Sequence, residues 1–164
     1  MTVRKAARKA KANVSRPRLK PSTPLPIPLP EELRHDVVIL PFKIDEGNGL
    51  YPGRLVHWAK DLRAEGLDAA YLDDPDHRRW NVLMGDLPSE LAIGIGIGIA
   101  GNAAWAALVA AFRRVVPAKS QVAARVVRER RSGTGRVDRS WFEYKGDVEG
   151  FLEALPQIDV DDKP

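Results

Sequence analysis

The 164-residue chain contains no cysteine, which excludes a disulfide framework and any thiolate-bound metal, and removes the need for an oxidising compartment. Cytoplasm is therefore the expected location. Histidine is scarce as well: His35, His57 and His77 are scattered, and no serine stands in a nucleophile-elbow context. Catalysis requires a nucleophile, a base or a metal site, so no enzyme is expected and no residue is assigned a catalytic role. Glu143 and Asp147 flank a strand end and are read as solvated acids, not as an acid and base pair. The first twenty residues lack acids altogether, and residues 91–112 lack any ionisable side chain.

What is present divides unevenly. The net charge is +4, but residues 1–20 hold Arg4, Lys5, Arg8, Lys9, Lys11, Arg16, Arg18 and Lys20. Without these eight cations, 18 basic residues face 22 acidic ones, so the basic character belongs to the N-terminal arm. Arg4, Lys5, Arg8, Lys9 and Lys11 are candidate contacts to phosphates or to an anionic membrane, with strongly salt-dependent affinity. The arm has no aromatic side chain on which bases would stack. No apolar stretch follows it, so no secretion signal is expected and the chain is expected to begin near Met1.

Pro17, Pro21, Pro24, Pro26, Pro28 and Pro30 follow; they remove amide donors and hold the backbone extended, which argues against helix and sheet. The stretch is a stiff spacer or, through LPIPLP, a ligand for an aromatic groove. The expected division is a disordered basic and Pro-rich arm over 1–34, one α+β domain over 35–158 and an acidic, frayed tail over 159–164.

Within the domain, DVVILPFK predicts a buried strand ended by the turn-rich DEGNGLYPG. Leu55, Trp58 and Leu62 recur at helical spacing, and Gly66 supplies the left-handed cap, with Leu67 packing back onto it. His57, beside Trp58, is a surface or flanking residue. DAAYLD is a second short strand. Asp73, Asp74, Asp76 and His77 form a turn-like cluster with some likeness to hard-metal ligands, but no second cluster accompanies it, and no metal is expected. Further on, QVAARVVRERR and RVDRSWFEYK flank Ser-Gly-Thr-Gly as a β-hairpin. Asp147 caps a closing helix whose apolar face is Val148, Phe151, Leu152 and Leu155.

Three readings compete for LAIGIGIGIAGNAAWAALVAAFRR. Gly96, Gly98 and Gly101 match G-x-G-x-x-G before a helix from Asn102 to Val116, a dinucleotide-binding arrangement. The acid expected on the next strand is missing, and the following residues do not read as parallel βαβ units. Residues 91–112 are also long enough to span a membrane, with Gly94 and Gly98 forming a small-x-x-x-small contact surface that would also serve a homo-oligomer. Finally, the segment suits a buried core element, a Gly/Ala-rich helix with Trp105, Leu108, Val109 and Phe112 on one face, or a strand over Ala92 to Gly98 followed by a shorter helix.

The order strand, helix, strand, Gly/Ala-rich hydrophobic helix ending in arginines, charged hairpin and short Leu-rich helix resembles the effector-associated constant component family of bacterial conflict systems. The pieces that carry the resemblance are VHWAKDLRAEG, LAIGIGIGIAGNAAWAALVAAFRR, RVVRERRSGTGRV and DVEGFLEALP, over roughly residues 36–156. The resemblance implies a small accessory protein acting beside effectors without chemistry of its own. The Pro-rich arm and DDPDHRRWNVLMG depart from the family's layout. The expectation is an α+β fold with a sheet of about four strands, and a non-enzymatic adaptor that binds a protein partner without a cofactor. Membrane-associated and dinucleotide-binding alternatives stay open, as does an interaction role for Gly94, Gly98 and Trp105.

Overall fold

A computed structural model describes residues 16–81, 90–98 and 102–159. In chain order these form β1 (Lys20–Pro21), β2 (Val37–Leu40), β3 (Lys43–Asp45), β4 (Asn48–Pro52), α1 (Trp58–Ala64), β5 (Ala69–Tyr71) and β6 (Arg78–Asn81). Then come β7 (Glu90–Ile97), α2 (Asn102–Val115), β8 (Gln121–Arg131), β9 (Val137–Asp147) and α3 (Val148–Ala154). The fold is α+β, as the sequence leads one to expect. Instead of about four strands in one sheet, however, it has a six-stranded sheet in the order β1-β9-β8-β7-β2-β5 and a three-stranded sheet in the order β3-β4-β6.

The central segment is where the difference begins. Between Ala92 and Gly98, isoleucine alternates with glycine or alanine, and a period of two places all the isoleucines on one side of a strand. Accordingly Ile93, Ile95 and Ile97 are buried in the main core, and Glu90–Ile97 is a strand rather than the first half of a helix. It pairs antiparallel with β2 and parallel with β8. The helix begins only at Asn102 and lies between these parallel strands in the chain. Among the described residues no helix is long and apolar enough to cross a membrane.

One face of the large sheet carries the main core. Val37, Ile39, Val122, Ala124 and Val126 meet Trp58 and Leu62 of α1, Leu108 and Phe112 of α2, and Phe151 and Leu152 of α3. Edge-on and tilted aromatic contacts link the helices: Trp58 to Phe112 at 5.4 Å, Phe112 to Phe151 at 5.3 Å, and Phe151 to Tyr144 at 5.5 Å. The local signals for these helices work as expected. Gly66 has φ +91°; its amide donates to the Arg63 carbonyl and that of Leu67 to the Leu62 carbonyl, which closes α1. Asp147 Oδ1 accepts from the Gly150 amide at 2.6 Å at the start of α3.

The turn-rich DEGNGLYPG is itself a hairpin: Glu46 and Gly47 have positive φ and join β3 to β4. Tyr51, Tyr71 and Trp80 pack with ring centroids 5.3–5.5 Å apart and tie the small sheet to the large one.

The second face of the large sheet is built from the intervening residues, and the proline-rich segment lies on it. The sequence argues against sheet structure here and starts the folded body at His35, yet Lys20–Pro21 pairs with β9. The edge position explains this, since proline lacks only the outward donor that an edge strand can do without. Ile27 and Leu33 are buried, and Leu29 and Leu33 cover Val38, Leu40, Val127 and Trp141.

Candidate interaction groove

Residues 22–34 form a strap across one half of this face. Its anchor is a carboxylate: Glu129 is 3% exposed, and both of its oxygens accept from the Leu33 amide at 2.9 Å. Arg139 donates to the same carboxylate at 3.0 and 3.1 Å and also to the Pro30 carbonyl. Arg131 pairs with Glu32 at 2.8 Å. A backbone amide and a guanidinium thus satisfy a charge that would be costly to bury alone.

Beside the strap the face is left open by the described residues. A groove of about 740 Å³ runs over Ala92 and Gly94 of β7 and Ala123 and Arg125 of β8. Cross-strand register explains its floor, because Ala92, Ala123 and Lys145 stand in one row and Gly94, Arg125 and Glu143 in the next. Small residues on two adjacent strands leave a lane whose walls include Phe42 and Leu25. Arg16, Arg18, Lys20, Arg125 and Lys145 also line it, with Glu143 the single carboxylate among the described lining residues. Arg125 donates to Ser22 Oγ at 2.5 Å and pairs with Glu143 at 3.4 Å, while Ser22 Oγ donates to Glu143 at 3.3 Å. Glu143 is therefore engaged with the start of the strap, and Asp147 is engaged as the α3 cap.

The glycines singled out in the sequence belong to this face. Gly96 lies within β7, where a Cβ would stand 2.9 Å from Leu33 Cδ1; at Gly98 it would stand 2.6 Å from the His35 carbonyl oxygen. Their lack of side chains is used for close approach of the strap and the chain that follows it. Gly96 occupies a strand, not a phosphate-cradling loop, and Gly101 lies outside the described residues. At Gly94 a Cβ would meet that of Leu40 at 2.8 Å. Gly94 and Gly98 thus form no helical contact surface, the reason being the period-two pattern already described. Trp105 is buried in the main core and is not available as a surface contact.

Arg4, Lys5, Arg8, Lys9 and Lys11 lie outside the described residues. Among the described residues no three His, Asp or Glu side chains are grouped to hold a metal. Asp73 instead accepts from the Tyr51 hydroxyl at 2.6 Å and donates its amide to that hydroxyl at 3.2 Å. Burial, with the Asp73 hydrogen bond second, pushes the Tyr51 hydroxyl well above the ordinary tyrosine range. His57 is exposed, as its place beside Trp58 suggests.

The groove is the feature that inspection of the sequence misses. Its signal was the same alternation, glycine and alanine on one side of β7, together with Ala123 and Arg125 on the alternate side of β8 from Val122, Ala124 and Val126. Comparisons with protein-family models, curated proteins and solved structures gave no match.

Proposed function

We propose that the chain is a non-enzymatic accessory module of a bacterial effector or regulatory system, acting by protein–protein interaction, with the groove beside the strap as its docking surface. The observation that carries this reading is the unequal covering of one sheet face. Half of it already holds an extended polypeptide, and the adjoining half, with a small-residue floor and a charged rim, is open. An extended chain needs such a floor because side chains larger than alanine would hold its backbone off the sheet. The sequence-level resemblance to the effector-associated constant component family suggests the setting, with the segment expected there as one Gly/Ala-rich helix formed here by β7 and α2.

The test is affinity purification of the tagged chain, co-expressed with the products of neighbouring genes, beside an Ala123→Phe variant. The phenyl ring fills the floor without changing charge or the buried core. Partners identified by mass spectrometry with the wild type and lost with the filled groove support the reading. No partner, or partners retained equally by both proteins, overturns it.

A further inference from the structure

Resting on that docking surface, we infer that its occupant is an acidic, extended segment of a partner protein, with carboxylates flanking small or medium apolar side chains. Among the described lining residues are five cations, Arg16, Arg18, Lys20, Arg125 and Lys145, and one carboxylate, Glu143. Arg125 pairs with Glu143, and Arg16, Arg18 and Lys20 add three positive charges along a lane two strands wide. Strands lie about 4.8 Å apart, so the lane is roughly 10 Å across, the width of a single extended chain and too narrow for a nucleic-acid duplex.

The apolar contribution distinguishes a peptide from single-stranded nucleic acid. Proteins that bind single strands stack bases on exposed aromatic platforms. Among the described residues the lining offers Leu25, Phe42, Ala92, Ala123 and one further aromatic residue, Tyr144, whose ring is packed against Phe151. Such a surface takes aliphatic side chains between paired charges. The strap shows the same mode on the neighbouring half: Leu33 fits against Gly96 while Glu32, beside it, pairs with Arg131. The proposed occupant repeats this grammar of an apolar residue on the floor and an acid toward an arginine.

The probes are a fluorescent ten-residue peptide of alternating Glu and Val, its Lys and Val counterpart, and a twelve-residue oligothymidylate, followed by anisotropy at low and high salt. The acidic peptide is expected to bind, and to weaken with salt because exposed charges are screened. Removing Arg16, Arg18 and Lys20 together by alanine weakens it at least tenfold, and Ala123→Phe does the same with charge unchanged. Removing three exposed cations elsewhere, Arg54, Lys60 and Arg136, changes it less than twofold. Thermal melts of every variant confirm folding.

Failure of the acidic peptide to bind overturns the inference, and so does equal weakening by the two triple substitutions. Groove-dependent binding of the oligothymidylate in place of the peptide also overturns it, in favour of nucleic acid. A purified protein partner that is lost with Ala123→Phe but indifferent to the groove cations refutes the acidic class while leaving the docking surface standing.

Discussion

Replacing Glu129 by alanine removes the acceptor of the Leu33 amide and the counter-charge of Arg139 in one step. The Glu129 side chain is 3% exposed and that of Arg139 is 23% exposed. A buried amide left without a partner costs about 1–3 kcal/mol. Arg139 regains water on its exposed side, so its contribution falls well short of the roughly 3–5 kcal/mol for breaking a fully buried pair. Together the loss is about 3 kcal/mol, or roughly 6–12 °C in melting temperature for a chain of this size. Glu129→Gln keeps an acceptor for Leu33 and loses only the charge, so it falls between wild type and alanine. The damage concentrates in the C-terminal half of the strap, because Glu129 holds a segment whose other ties there are Arg131 to Glu32, Arg139 to Pro30 and a small apolar cluster, while Ser22 stays tied to Arg125 and Trp141. Hydrogen exchange then shows the Leu33 amide losing protection before those of β7 and β8, and proteolysis cuts between residues 17 and 34. A shift under 1 °C for the alanine variant, or loss of protection throughout the sheet with Leu33 spared, refutes the reasoning.

Three further outcomes follow from individual contacts. Gly96→Val forces a side chain against Leu33, already 2.9 Å from the position of a Cβ, and is expected to release the strap while leaving the helix-side core folded, as seen by strap proteolysis with retained near-ultraviolet circular dichroism. Asp147→Ala removes the cap of α3 and costs about 1 kcal/mol in urea unfolding, with Asp147→Asn restoring most of it. Above pH 10 stability falls: Tyr51 has a raised pKa in the folded protein, so the unfolded chain loses its proton first and is favoured as pH rises. Below the ordinary tyrosine pKa this contribution is fully present. Tyr51→Phe is expected to flatten the alkaline part of the stability profile, and an unchanged slope counts against the buried hydroxyl as its source.

The sequence by itself determined whatever is encoded within a few residues. The Ser-Gly-Thr-Gly turn sets the hairpin of β8 and β9, Gly66 stops α1, and Asp147 starts α3, because caps and turns satisfy backbone groups locally. The alternation that makes β7 a strand was also present, hidden beneath a composition that suits a helix, a membrane span or a glycine loop equally well. What only the tertiary structure decided is the meaning of the small residues and the prolines. Glycine on one side of β7 has value only once Leu33, His35 and Leu40 arrive from elsewhere in the chain. Pro21 is compatible with a strand only because β1 lies on an edge. The groove likewise arises from three strands brought into register across more than fifty residues, with the N-terminal cations set beside it. Such placement depends on which surfaces long-range burial brings together, and no local pattern of charge or hydropathy encodes it.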